Sequence, residues 1–467
     1  MAVFNTVNLS ELEGKKRIDA EYYKPDYIGL LSRLKEVGCV SVKDVAFPVR
    51  RKFKPKKGEY FDYIEISEVD LTTGEFSTSK IIGEEAPDRA QWVVNEDDIL
   101  ISTVRPIRNA IVLIKERKEN LVCSSGFCVL HPKTIQTNYL FLYLKMPFIA
   151  KLLDRHTTAT GYPAINWNDV LNTPIYVGCK EFQTKISLMV DKSFALLRQS
   201  RSLYSQAENL LLEELGLKDF KPRYEKTYSA KLSDALSAHR IDAEYFQPAY
   251  EEVIEMLKAR VKVEKLRNIA SFINHGKQPY YVENGDVPVL IQKHLGSQLL
   301  ISYSEIVNMP GTPKTDRNFI EKYPEYLIRP FDILFYSVGA YLGRTNVVLE
   351  NFESVPASFI TLIRTKQEVC NSVYLGLFLN SEIGQLQSSR WKSASAQQYI
   401  YPKEIKEFII PILSMSTQQE IASLVQQSHE ATRKAKELLE VGKKAIEIAI
   451  EKNEEKALYY ISKTEEK

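Results

Sequence analysis

"RIDAEYYKPDY", residues 17–27, returns as "RIDAEYFQPAY" at 240–250, with eight of the eleven positions identical. A phrase written twice, 223 positions apart, is either chance or the trace of a duplication, and the flanking sequence decides between them. Upstream, "LSELEGKK" (9–16) faces "LSDALSAH" (232–239). Downstream, "FKPKKGEYFDYIEIS" (53–67) faces "GKQPYYVENGDVPVLI" (276–291), and "DDILISTV" (97–104) faces "FDILFYSV" (331–338). "GFCVLHPK" (126–133) then faces "SFITLIRTK" (358–366), "NYLFLYL" (138–144) faces "VYLGLFL" (373–379), and "FQTKISLMV" (182–190) faces "TQQEIASLV" (417–425). Their order is preserved and the offset drifts only from 223 to 235, so the chain is two copies of one unit.

Each copy opens on a helix. Pro25 and Pro248 suit a first helical position, where the missing N–H has no partner to lose. Apolar residues follow at helical spacing: Tyr27, Leu30, Leu31 and Leu34 in one copy, Tyr250, Val253, Ile254 and Leu257 in the other. The middle of each copy predicts short strands. "YIEIS", "DILISTV", "AIVLI" and "LVCSSGFCVL" have the counterparts "VPVLIQ", "DILFYSV", "TNVVLE" and "SFITLI".

Each copy ends in a long helix. From Gln183 to about Leu215 the sequence holds neither proline nor glycine, and Ile186, Val190, Leu197, Tyr204, Ala207 and Leu211 fall on a stripe of three- and four-residue steps that two serines complete. The second copy has Ile421, Val425, Thr432, Ala435, Leu439 and Ile446. A helix of about 32 residues is roughly 48 Å long, and so long an apolar stripe needs a partner. The economical arrangement pairs the two helices antiparallel, with Ser193, Ser200, Ala207, Ala435 and Gly442 allowing close approach.

The expected fold is therefore α+β. Two homologous β-rich domains are separated by a pair of long antiparallel helices, as a pseudo-twofold internal repeat. The boundaries follow: 1–180 for the first domain, 181–216 for its helix, 217–412 for the second domain, and 413–467 for the second helix and a tail.

Composition excludes several classes. The longest apolar stretch, "NYLFLYLKMPFIAKLL", is broken by Lys145 and Pro147 and is too short for a bilayer. No early window pairs a charged start with an apolar core, which argues against a secretory signal. Five scattered cysteines without a CxxC suggest a reducing, cytoplasmic setting and neither a disulfide frame nor a zinc site. The net charge of +2 leaves any preference for a polyanion to local clusters.

Catalytic motifs are missing. There is no GxGxxG opening a helix, no GxxxxGK[ST], HExxH or GxSxG, and no Asn-Pro-Pro-aromatic loop of an amino-methyltransferase. The six histidines lack metal-ligand spacing. Asp97 and Asp98 precede an apolar strand and read as a strand-edge turn.

Three segments suit DNA. "RRKFKPKK" (50–57) concentrates Arg50, Arg51, Lys52, Lys54, Lys56 and Lys57, a density that phosphate contact requires. Its weaker counterpart "NHGKQPYY" carries Lys277. "STVRPIRNA" (102–110) against "YSVGAYLGRTN" (336–346) offers Arg105, Arg108 and Asn109, then Arg344 and Asn346, side chains that read guanine and adenine edges. "RHTTATGY" (155–162) against "RWKSASAQQY" (390–399) adds Arg155, Arg390 and Lys392.

A unit with "RIDAEYY-P-Y", a "DIL" strand in a β-rich head, and "EFQTKI" or "TQQEI" opening a long helix, written twice, resembles the specificity subunit of type I restriction–modification systems. The resemblance covers essentially the whole chain. It implies two target recognition domains, each reading half of a split double-stranded DNA site, with the helices as a ruler. It further implies docking of methyltransferase subunits, which bind S-adenosylmethionine and methylate adenine, and of motor–nuclease subunits in a restriction complex. The chain itself would hold no cofactor, no metal and no catalytic residue. Ile186, Val190, Leu197, Tyr204, Leu211, Ile421, Val425, Leu439 and Ile446 would serve helix pairing and subunit docking. The alternative from the residues alone is a duplicated coiled-coil adaptor that binds proteins.

Overall fold

The computed structural model describes residues 6–9, 12 and 17–465, apart from 158–160, 297, 304, 305, 307, 308, 352 and 394–396. Most of the 9–16 segment and the centres of the 155–162 and 390–399 loops thus lie outside the described residues. The chain forms two compact units. Unit 1 comprises residues up to Leu197 together with Thr432–Lys467, and unit 2 comprises Arg198–Ala431.

In unit 1, helix α1 (Pro25–Glu36) begins on its proline. One antiparallel sheet has the order β1 (Ala46–Pro48), β8 (Phe127–Pro132), β5 (Ile99–Ser102), β6 (Ile111–Leu113). A second has the order β3 (Ser79–Ile82), β2 (Tyr60–Ile64), β7 (Leu121–Ser124), β4 (Ala90–Val93), with β2 and β7 parallel. Alternation along the strands builds three layers. Ile99 and Ile101 face helices α2 (Thr137–Leu144) and α3 (Pro147–Asp154), whereas Leu100, Val112 and Val129 face Ile64 and Cys123 of the second sheet. A strand buried on both sides reads as an unbroken apolar run, which is why "ILIS" shows no polar alternation.

Helix α4 (Lys180–Leu215) starts in unit 1 and ends in unit 2. Unit 2 repeats the plan. Helix α5 (Pro248–Arg260) again begins on proline. Its larger sheet has the order β9 (Ala270–His275), β16 (Ile360–Thr365), β13 (Ile333–Tyr336), β14 (Thr345–Val348), β11 (Leu300–Ile301). The smaller has the order β12 (Lys314–Thr315), β10 (Val287–Leu290), β15 (Val355–Pro356). Ile333 and Phe335 face helices α6 (Ser372–Asn380) and α7 (Glu382–Trp391), and Leu334 and Tyr336 face Leu290. The layer order and the order of the shared strands therefore recur, as the duplicated sequence predicts, with one strand more in unit 2's larger sheet and one fewer in its smaller.

Helix α8 (Met415–Glu451) begins in unit 2 and returns to unit 1, where α9 (Glu454–Glu465) follows. The long helices run antiparallel. In unit 1 the Ser193 hydroxyl donates to the Ala435 carbonyl at 2.9 Å. In unit 2 the Ser200 and Ser428 hydroxyls meet at 2.9 Å. Ile186, Val190, Leu197, Leu439 and Ile446 are buried in unit 1, and Leu211, Ile421 and Val425 in unit 2, while Tyr204 is partly buried against unit 2's core. Gly442 serves another contact than the expected one. A Cβ there would lie 2.6 Å from Leu142 of α2, so it admits the head's helix.

The repeated phrase proves to be a clamp. Arg17 pairs with Asp19 at 2.8 Å and donates to the carbonyls of His156 and Thr157, just past the end of α3. Arg240 does the same with Asp242 at 2.7 Å and the carbonyls of Trp391 and Lys392, at the end of α7. A cation at these orphan carbonyls also complements the helix dipole. The hydrogen bond from arginine holds both aspartates below the usual carboxylate range. Tyr22 then contacts two guanidiniums, Arg17 at 4.6 Å and Arg155 at 3.8 Å, and Tyr245 contacts Arg240 at 4.6 Å and Arg390 at 4.9 Å.

The segment expected to be a tail closes unit 1. Ala457 and Ile461 are buried in its core, and the Glu454 carboxylate accepts from Tyr176 Oη at 2.6 Å and Cys179 N at 3.0 Å. A chain stopped at residue 431 is therefore expected to lose unit 1 while keeping unit 2. Limited proteolysis should then cut freely within residues 20–197 and spare 198–431.

Candidate nucleic-acid interface

After β5 and β13 the chain must reverse at the sheet's end, and both units bracket the reversal with two positive-φ residues at matching positions. In unit 1, Arg105 (φ 48°) and Asn109 (φ 59°) are left-handed and bracket a single 3-10 turn, Pro106–Arg108. In unit 2 the same two positions are Gly339 (φ 92°) and Gly343 (φ 90°). Arg105 N donates to the Pro163 carbonyl at 2.8 Å, and Gly339 N to the Gln398 carbonyl at 3.2 Å. The far ends are held too. Asn109 Nδ2 donates to the Lys145 carbonyl at 2.8 Å, and the Gly343 carbonyl accepts from Gln385 Nε2 at 3.0 Å. A Cβ on Gly343 would stand 2.7 Å from Ser388 Oγ, so glycine is required there for space as well as for φ.

These rigid loops carry different side chains. Unit 1 presents exposed Arg108 and half-buried Arg105, whose guanidinium lies 5.7 Å from the Tyr162 ring. With Tyr63, Glu65, Ser67 and Arg89, they border an open cleft of about 350 Å³. Sequence reading missed Tyr63 and Arg89 because neither stands in a cluster. Unit 2 presents Tyr341, with Arg344 stacked 4.3 Å from its ring. Lys277 lies exposed, 3.9 Å from the Tyr323 ring, and Lys392 is half-buried.

The basic run divides in two. Lys52, Lys54, Lys56 and Lys57 are exposed, with Lys56 3.2 Å from Glu59, and exposed Arg50 lies 4.7 Å from the Trp167 ring. Arg51 does not join them, contrary to expectation. Its guanidinium meets the fully buried Asp98 carboxylate at 2.5 Å, beside Asn95 N at 2.8 Å and His131 Nδ1 at 3.0 Å. Asp332 occupies the same strand position in unit 2 and pairs with Arg364 at 2.9 Å; burial still raises its pKa against that pairing. A buried carboxylate without its partner costs about 3–5 kcal/mol, which makes Arg51 a structural residue.

Four further expected contacts are corrected. Arg155 is buried, and its Nε donates to the Tyr22 carbonyl at 2.7 Å. Arg390 is held by Tyr245 and Glu251. Asn109 braces its own loop as above. Asn346 is fully buried in β14, with Nδ2 donating to the Gln298 carbonyl at 2.5 Å. None of the four offers its polar group to a base edge.

Among the described residues no group of three or more His, Cys, Asp and Glu side chains is placed to hold a metal ion, and no helix is long and apolar enough to cross a membrane. The sequence profile of the type I restriction modification DNA specificity domain matches residues 32–201 and, a second time, 260–463. The chain belongs to that family. No curated protein sequence matches it significantly. Solved structures similar to this specificity chain include the HsdS subunit from Thermoanaerobacter tengcongensis, at 22% identity over 89% of this chain and 96% of that one, with a TM-score of 0.33. The type I restriction–modification S subunit from M. genitalium is 13% identical over 91% and 95%, with a TM-score of 0.42. A chain from a structure of type I R-M complex assembly and conformational transition is 20% identical over 87% and 97%, with a TM-score of 0.31.

One group in the first specificity domain is unusual. Lys145 is fully buried, its Nζ donating to the Leu71 carbonyl at 2.9 Å on the cleft wall while its own carbonyl holds Asn109. Burial, reinforced by the like charge of Lys443, lowers its pKa to about 7, against the opposing pull of Asp70 and Glu440. The unfolded chain binds this proton up to pH ~10.4. Between about pH 7 and 10 the unfolded state therefore holds more protons, and folding stability gains up to ~1.4 kcal/mol per pH unit as pH rises. Replacing Lys145 by Met is expected to flatten this part of the profile. Urea midpoints followed by tryptophan fluorescence, to which Trp92 and Trp167 of unit 1 contribute, check it.

Proposed function

We propose that this chain is the DNA-recognition subunit of a type I restriction–modification complex, without catalysis of its own, and that it reads a split target with one unit per half-site. The observation that carries this reading is the shared loop frame. Two units of one DNA specificity family bracket this reversal with positive-φ residues at the same two positions and fill it with different side chains, Arg105 and Arg108 against Gly339 and Leu342. Corresponding frames with unlike tips are what two readers of unlike sequences need.

On this reading the ligand is double-stranded DNA. Methyltransferase subunits dock on α4 and α8, bring S-adenosylmethionine and methylate adenine; motor–nuclease subunits add cleavage. The helix pair sets the gap between the half-sites, and the chain works in the cytoplasm. The exposed lysines of the 52–57 loop supply phosphate contacts, and Arg105, Arg108 and Arg89 face bases.

Mapping methylated adenines in a genome that carries the chain with its methyltransferase tests the proposal. The expected result is one motif in two halves with a fixed gap, and Arg108→Ala should relax only one half. A continuous motif, or both halves relaxed together, refutes one unit per half-site. Salt dependence tests the loop separately. Replacing Lys52, Lys54 and Lys57 by alanine should reduce the slope of log K against log salt by about 0.9 per lost phosphate contact. Anisotropy titrations that return the wild-type slope would remove this loop from the interface.

A further inference from the structure

At the tip of each bracketed loop stands a large apolar side chain in the open. Ile107 is 51% exposed in unit 1, and Tyr341, at the same position of the frame in unit 2, is 58% exposed. A single exposed apolar residue is ordinary and carries no meaning. Here the exposure recurs at one position of a duplicated frame, on a turn pinned at both ends by the Pro163 and Lys145 carbonyls in unit 1 and by Gln398 and Gln385 in unit 2.

The backbone adds a second observation. Arg105 adopts the left-handed conformation at φ 48°, where unit 2 has glycine. An L-residue there is strained, and such strain concentrates at functional positions. Unit 1 keeps the arginine and thereby flanks Ile107 with Arg105 on one side and Arg108 on the other.

We propose that Ile107 is a specificity-determining contact that packs on the 5-methyl group of a thymine in the major groove. The proposal rests on the DNA-reading function above and names what one position of it reads. Isoleucine has neither donor nor acceptor. Among the features that base pairs present in the major groove, the thymine methyl is the apolar one, while guanidinium forks match guanine O6 and N7. Arg105 and Arg108 on either side of Ile107 thus point to a half-site in which a thymine adjoins guanine. Tyr341 keeps the tip position but brings a hydroxyl and a ring backed by Arg344, so unit 2 reads a different base there.

The test uses the full chain assembled with its methyltransferase subunits and duplexes carrying its mapped target. Each thymine of unit 1's half-site is replaced in turn by deoxyuridine, which lacks only the methyl group. At one thymine the wild type should lose about four- to tenfold in affinity, the worth of one buried methyl group or slightly more. 5-Bromodeoxyuridine, whose halogen replaces the methyl in size, should restore the loss. Ile107→Ala should bind the thymine and uracil duplexes alike, and Ile107→Val should fall between. Equal binding of the wild type to every uracil duplex overturns the proposal and leaves DNA reading standing, as does Ile107→Ala retaining the full uracil penalty. Wild type that selects no target overturns both.

Discussion

Two antiparallel helices underlie everything else in this chain. Ser193 against Ala435 and Ser200 against Ser428 fix their register at hydroxyl distance, and the apolar residues between them belong to the cores of the units on which they lie. Unit 1 takes Ile186 and Val190 from α4 with Leu439 and Ile446 from α8; unit 2 takes Leu211 from α4 with Ile421 and Val425 from α8. A slip of one turn would move a serine off its partner and a leucine out of each core together. Buried hydroxyls that lose their partners cost about 1–3 kcal/mol each, so register is strongly specified. The helices are thus part of each unit's core as well as a connection.

Much of this was legible. Duplication, the proline starts of α1 and α5, the buried strands "ILIS" and "ILFY", and the two long helices all follow from local pattern, because periodicity and proline geometry act over a few residues. The clamp was only half legible. Its recurrence said that "RIDAEY" mattered, but the partners of Arg17 and Arg240 lie about 140 to 150 positions away, and their carbonyls have no sequence signature.

The candidate site was less legible, for the same physical reason. Arg51 and Lys52 are neighbours in one basic run, yet one neutralises a buried carboxylate 47 residues on and the other faces solvent. Charge in sequence does not reveal whether its partner is inside the protein. Asn346 looked like a base reader until β14 turned it inward. Ile107 escaped notice because charge and hydrogen-bonding capacity guided the reading, whereas its significance lies in exposure. A signal was present: aligned on "DIL", the two copies both place a bulky apolar residue at the loop tip, at 107 and 341, while the residues beside it change.

The interleaved core has a consequence for how the molecule is made. Unit 2 is one continuous run, so it is complete once Ala431 has emerged from the ribosome. Unit 1 is synthesised first but lacks Leu439, Ile446 and Ile461 until the final stretch emerges. At some 5–20 residues per second, its core waits on the order of tens of seconds without the apolar side chains that α8 and α9 supply. The half translated first is therefore the last to be finished, and during that delay it is the part of the nascent chain most in need of a chaperone.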